Sequence, residues 1–259
     1  MKNRECSIVN VLIYLSYDGT AYRGFQVQPE GPTIQEELEK ALGLVYKQSV
    51  RLAGAGRTDS GVHARCQAAS FEAPFAISLE KLPYALNSLL PQDIVVFGAA
   101  EVPPLFHARF SAIGKVYSYT LDRSRYPQVF LSRYSWHYPE PLNLEVMRQA
   151  ASLFEGTYDY ASYCASGSSV KDTVRTLTKV EVKENGDSDL LTFRFEGNGF
   201  LYRMVRLITG TLIRAGAGKV SLAAIEASLA GEESSAPGPT APAHGLCLEK
   251  VLYPDLSLL

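Results

Sequence analysis

Cysteine and histidine are both scarce in this 259-residue chain, with four of each. Cys6, Cys66, Cys164 and Cys247 are scattered, form no CxxC pair and have no histidine at metal-ligand spacing. That argues against structural zinc and reads as reduced thiols of a cytosolic protein. No G-x-G-x-x-G fingerprint and no P-loop are present, so the common nucleotide-binding glycine motifs are excluded. No apolar run is long enough to span a bilayer. The opening "MKNRECSIVNVLIYLSYDG" has a basic end and an apolar stretch, but that stretch alternates with polar residues and lacks a small-residue cleavage site. It predicts a strand rather than a signal peptide. What remains, at 46% hydrophobic and 20% charged residues, is the composition of an ordinary soluble globular protein, with ample length for a large core.

A strong charge of either sign is also missing, since the net charge is −2. The distribution is uneven, however. Residues 103–133 carry Arg109, Lys115, Arg123, Arg125 and Arg133 against Asp122 alone, and 197–220 carry Arg203, Arg206, Arg214 and Lys219 with no acid. Residues 221–259 are acidic. Two basic segments in a near-neutral chain suit a polyanion-binding face, and on charge alone they suit solvated surface equally well.

The hydrophobic pattern predicts two successive β-α-β-β-α-β units. In the first, "NVLIYLSYDG" alternates and ends in a turn pair, so it reads as a strand. "PTIQEELEKALGLVYK" follows, with Thr33 and Glu36 at capping-box spacing and Ile34, Leu38, Leu42 and Val45 on one helical face. Strands are expected at 49–54 and 62–72, then a helix from near Ser78 to before Pro91, then the strand "DIVVFGAAEV". In the second, "KVYSYTL" is a strand, 143–154 a helix capped by Asn143, and "TLTKVEVKE" and "LLTFRFEG" a hairpin-like pair. "FLYRMVRLITGTLIRAG" reads as a helix, 221–230 as a short extra one, "GEESSAPGPTAPAHG" as a loop and "LCLEKVLY" as the closing strand. The expectation is an α+β fold of two ferredoxin-like halves, 1–105 and 106–259. Their sheets are expected to join into one mixed, largely antiparallel sheet with helices on one side.

One short stretch stands out. "AGAGRTDSGVHARCQA", residues 53–68, sets Arg57 and Asp59 among glycines. Asp and Gly are common turn residues, so these residues alone favour a strand-to-strand turn. A loop that presents a carboxylate to a substrate is the other reading.

With its surroundings, that stretch resembles the TruA-type tRNA pseudouridine synthases. "YDGTAYRGFQVQ" (17–28) is similar to the family's first block, and "GRTDSGVHA" (56–64) to its catalytic block, which usually has alanine where this chain has Ser60. "FHARFSAIGKVYSYTL" (106–121), "NGFLYRMVRLITGTLIRAGAGK" (198–219) and "APAHGLCLEKVLYP" (241–254) match three further blocks in the right order. The resemblance implies isomerisation of uridine to pseudouridine at positions 38, 39 and 40 of the tRNA anticodon stem-loop. It also implies a cytoplasmic homodimer that uses no metal or redox cofactor, does not associate with membranes and has tRNA as its partner.

The resemblance assigns roles residue by residue. Asp59 matches the catalytic aspartate; Arg206 matches the arginine that pairs with it, and Arg57 the residue that displaces the flipped nucleotide. Tyr117 matches the tyrosine that stacks on substrate, which leaves Tyr119 as a core neighbour, and Leu246 matches a pocket-lining residue. His63 lies four residues from Asp59 but is not a family catalyst, so a structural or RNA-adjacent role is expected. Two rival readings compete. An RNA-binding module without catalysis rests only on Ser60, whose hydroxyl would divert a hydrogen bond from the carboxylate. A metal-free hydrolase leaves the two basic segments unexplained.

Overall fold

The computed structural model describes residues 9–167, 170–186, 189–232 and 238–254; Cys6 and part of the 231–245 loop lie outside them. The fold is mixed α+β, with ten strands among the described residues, and the chain divides into two compact units. One holds the stretch up to Ile113 together with Leu248 onward, and the other holds Gly114–Cys247.

The first unit runs β1 (Val9–Tyr17), α1 (Ile34–Tyr46), β2 (Ala53–Gly54), β3 (His63–Ala73), α2 (Leu82–Asn87) and β4 (Ile94–Glu101). β1 pairs antiparallel with β3 on one side and β4 on the other, and β2 pairs with β3. Val11 through Leu15 are all buried, as expected of a central strand covered on both faces rather than one. Helix α1 starts where the Thr33 side chain accepts from the Glu36 amide, and it buries Ile34, Leu38, Ala41, Leu42 and Tyr46. Each fully buried Leu or Ile contributes roughly 1.5–3 kcal/mol. Val45, expected on that stripe, is only half-buried. Tyr46 takes its place, edge-on to Phe71 and Phe75 at 5.9 and 5.1 Å.

Two expected elements are shorter than the sequence implies. The strand at 49–54 is reduced to Ala53–Gly54 because α1 side chains claim the backbone before it. Glu39 accepts from the Leu52 amide at 3.1 Å and Gln35 donates to the Leu52 carbonyl at 3.2 Å. Helix α2 begins at Leu82 rather than near Ser78, with proline in its first turn, where the missing amide costs no intrahelical bond.

Across the sheet, the Pro103–Ile113 segment is tied down by side chains. Asn10 donates to the Pro103 and Phe106 carbonyls, Ser70 accepts from the Ala108 amide, and the Tyr253 hydroxyl donates to the Ala108 carbonyl. The chain between β1 and α1 instead lies against the turn that enters β3. Gly24 has φ +99°, and a Cβ there would fall 2.7 Å from the Thr58 carbonyl oxygen and 3.2 Å from the Asp59 carbonyl carbon. Only glycine meets both demands.

The second unit runs β5 (Gly114–Asp122), β6 (Trp136–His137), α3 (Leu144–Leu153), β7 (Gly156–Asp159), β8 (Val174–Glu184), β9 (Leu190–Gly197), α4 (Met204–Gly216) and α5 (Leu222–Leu229). The last strand, β10 (Leu246–Leu252), begins here and continues into the first unit. β5 pairs antiparallel with β9, β9 with β8 and β8 with β7. The expected cap Asn143 is present on α3, and Ser221 caps the short α5. Helix α4 starts four residues later than the apolar run suggests, because Arg203 takes a left-handed conformation, φ 57°, and stops the helix from extending back.

Between β5 and β6 the chain is organised around one carboxylate. Asp122 is buried; it accepts from the Ser124 amide at 3.0 Å, from the Ser124 hydroxyl, from the Gln128 amide at 3.2 Å and from the Gln128 side chain at 3.4 Å. Its carbonyl takes the Tyr138 amide at 2.7 Å. Burial alone would raise its pKa, but the Ser124 and Gln128 hydrogen bonds outweigh that and hold it below the ordinary 3.8.

Two stability predictions follow from these constraints. Gly24→Ala combines backbone strain with a clash against main-chain atoms, and is expected to cost about 3 kcal/mol, a fall of roughly 6–12 °C in Tm measured by calorimetry. Asp122→Asn removes the charge that collects the loop's donors and is expected to cost about 2 kcal/mol in urea unfolding at pH 7. Because the folded carboxyl titrates below its unfolded value, the wild-type advantage is present above the ordinary carboxylate pKa and is lost as pH falls through the folded value. The gap between wild type and Asp122→Asn should therefore narrow in acid.

Candidate active site

The Arg57–Val62 loop leaves β2 and enters β3, and the backbone on either side of it is held. Thr58 is buried between exposed Arg57 and half-buried Asp59, the alternation of an extended segment. The Thr58 hydroxyl lies 2.8 Å from the Tyr17 hydroxyl. Gln67 donates both to that tyrosine oxygen at 3.3 Å and to the Gly56 carbonyl at 3.0 Å. The Thr58 carbonyl takes the Phe25 amide at 3.1 Å, and the Asp59 carbonyl takes the Val62 amide at 3.1 Å. Asp59 thus stands at a turn whose main chain has no freedom to wander.

Tyr22 is the loop's second anchor. Its carbonyl accepts the Ser60 hydroxyl at 3.1 Å and the Gly61 amide at 3.4 Å. Its own hydroxyl donates to Asp93 at 2.5 Å, just before β4. Burial, reinforced by the Asp93 carboxylate, raises the Tyr22 pKa well above the ordinary tyrosine value, so the hydroxyl stays a donor. The Ser60 hydrogen goes to a backbone oxygen and fastens the loop, which removes the foothold of the module reading. His63 is buried, with Nδ1 3.1 Å from both the Gly19 amide nitrogen and an Asp18 carboxylate oxygen. These contacts give it a structural part at the base of β3. Tyr17, Tyr22, Gly24 and Gln67 were not singled out from the sequence; the signal for the first three was a concentration of tyrosine and glycine in "YDGTAYRGF", legible only once the partner loop is known, and Gln67 gave none.

The second unit gathers the remaining candidates around Tyr119. Tyr117 and Tyr119 share one face of β5. Tyr117 is buried with its ring edge-on to Phe200 at 5.1 Å. Tyr119 is fully buried, meets Phe193 edge-on and donates to the Pro242 carbonyl at 2.9 Å, which fits the core role expected of it. Burial pushes its pKa up, against the opposing pull of the nearby Arg206 guanidinium. Arg206, on α4, and Ala241 are locked reciprocally. The Arg206 Nε donates to the Ala241 carbonyl at 2.7 Å, and the Ala241 amide donates to the Arg206 carbonyl at 3.1 Å. Gly245 lets the chain pass the Tyr119 ring, since a Cβ there would fall 2.5 Å from it, and buried Leu246 follows at the start of β10. Arg57 and Asp59 are therefore brought onto one loop of the first unit. Tyr117, Arg206 and Leu246 belong to the second, with Arg206 and the 241–246 turn converging on Tyr119. Among the described residues, no group of three or more His, Cys, Asp or Glu is placed to hold a metal ion, and no helix is long and apolar enough to cross a membrane.

Residues 13–111 and 150–254 match the tRNA pseudouridine synthase family. A relative from Bacillus pumilus, named tRNA pseudouridine synthase A, is 46% identical over 241 residues, which is 92% of this chain and 97% of that one. Its namesake from Bacillus licheniformis is 48% identical over the same shares, and that from Moorella thermoacetica is 46% identical over 93% and 98%. Among solved structures, a chain of the "Crystal Structure of a Cbf5-Nop10-Gar1 Complex" superposes with a TM-score of 0.37 at 12% identity, over 97% of this chain and 55% of that one. The first family stretch contains the whole Asp59 loop with both its anchors, and the second contains Arg206 and Leu246. On the extent of that match and the identity to full-length relatives, the chain belongs to the tRNA pseudouridine synthase family and is an isomerase.

Proposed function

We propose that this enzyme converts uridine to pseudouridine at positions 38, 39 and 40 of the tRNA anticodon stem-loop, with Asp59 as its catalytic residue, and that it works as a cytoplasmic homodimer. The observation that carries the reading is the Asp59 turn: a half-buried carboxylate beside an exposed arginine, on a main chain fastened at Tyr17, Tyr22 and Phe25.

The reaction breaks the bond from uracil N1 to ribose C1′, turns the base and re-forms the link through C5. Nothing is gained or lost overall, so the protein supplies a nucleophile or base, control of charge, and retention of the detached uracil. A carboxylate fixed in place does the first without reorganising when the substrate arrives. Taking the uridine out of its stack costs a few kcal/mol. Arg57, exposed at the loop's start, is suited to replace the extracted nucleotide, and the Tyr117 ring to stack on the flipped base, with Leu246 completing an apolar wall. The family resemblance assigns Arg206 as the arginine partner of Asp59.

Tritium release from tRNA labelled at uracil C5 tests the assignment, because C5 loses its hydrogen only when the new carbon bond forms. Wild-type protein is expected to release tritium. Asp59→Ala should slow release by about 10³-fold or more while tRNA affinity stays within about threefold, since phosphate contacts supply most of it. Substantial turnover by the purified variant would remove Asp59 from the chemistry. Tyr117→Phe keeps the ring; at saturating tRNA it should lower kcat with little change in KM if the hydroxyl moves a proton at C5, and unchanged turnover would leave the ring a stacking role alone.

A further inference from the structure

The segment between β5 and β6 exposes more apolar surface than its own fold uses. Tyr126 is 71% exposed, Val129 79%, Phe130 93% and Tyr134 45%. This is not a loose stretch, because the buried Asp122 carboxylate takes its Ser124 and Gln128 donors and the His137 ring holds the Ser124 carbonyl at 2.8 Å. Residues 123–138 contain three arginines, Arg123, Arg125 and Arg133, and no acid. The Arg125 guanidinium lies over the Tyr126 ring, 5.3 Å from its centroid. Arg123 is engaged by Glu184 at 3.3 Å, and Arg125 and Arg133 are exposed.

We infer that this loop is a stacking platform for unpaired nucleotides of the tRNA substrate, with Phe130 as the ring a base lies against and Arg125 and Arg133 beside the phosphates. The inference rests on the proposed tRNA substrate and extends it to a surface that the isomerisation does not use. Aromatic rings interleaved with arginine on a pre-formed support are what single-stranded nucleic acid binds, because every base offers a π-face and every linkage a negative charge. A second copy of this chain is the other occupant such a surface suits. A two-fold contact through the same patch would bring like-charged arginines together, whereas a polyanion neutralises them.

Filter binding of labelled tRNA tests this without requiring turnover. Phe130→Ala is expected to weaken tRNA binding about tenfold while leaving the affinity for a fully paired RNA hairpin and the salt dependence unchanged. Phe130→Trp should restore it to within about threefold. Arg125→Gln should lower the slope of log K against log salt by about one. Both positions are solvent-facing, so the variants are expected to fold, and Tm checks that. Unchanged tRNA affinity in Phe130→Ala and Arg125→Gln overturns the inference. So does a Phe130→Ala protein that sediments at half the wild-type mass with tRNA affinity intact, which assigns the patch to contact between copies. Wild-type protein that binds tRNA but releases no tritium would sink the proposed reaction and leave the loop's own test standing.

Discussion

The first unit depends on a single close approach, that of the Gly24 backbone to the carbonyl groups of Thr58 and Asp59. Everything else around the loop is arranged so that this contact is possible. Tyr17, at the end of β1, reaches the Thr58 hydroxyl. Tyr22 receives the two donors that follow Asp59, and the Phe25 amide closes on Thr58 from the far side. The result is a carboxylate carried on a main chain that is held on both sides. Main-chain position is the property that changes least when neighbouring side chains vary.

Much of this was legible in the sequence, and the reasons differ by element. Helix α1 could be read because its stripe and cap are local, and α3 because Asn143 does what short polar residues do at a helix start. The Leu52 backbone was not legible. Val50 and Leu52 look like strand residues and are buried like them, but Glu39 and Gln35, a dozen or more residues upstream, take the hydrogen bonds that a partner strand would need. Arg203 is a similar case, since nothing in "FLYRMVRLI" announces a left-handed residue. The candidate site divides the same way. Asp59, Arg57, Tyr117, Arg206 and Leu246 came from ordered motif blocks, whereas the support of Tyr22 and Gln67 is visible only when the β1–α1 connection and β3 are seen to meet the same Asp59 loop.

The second unit handles charge by a different route. Asp122 is a buried carboxylate made tolerable by converging donors, and its purpose is local shape. Asp59 is only half-buried. The first acid shapes its loop, and the second is the one proposed for chemistry. Among the basic residues, Arg123 and Arg148 pair with Glu184, and Arg57, Arg125 and Arg203 are exposed.

The Tyr22 tether has a consequence for motion. Active-site loops are commonly drawn from the least stable parts of a protein, where local opening is cheap. The Asp59 loop is fastened through Tyr22 to Asp93 and through Tyr17 to β1, ties that any local opening has to break. In the proposed reaction the travelling part is then the nucleotide, which swings out to a carboxylate that waits in place.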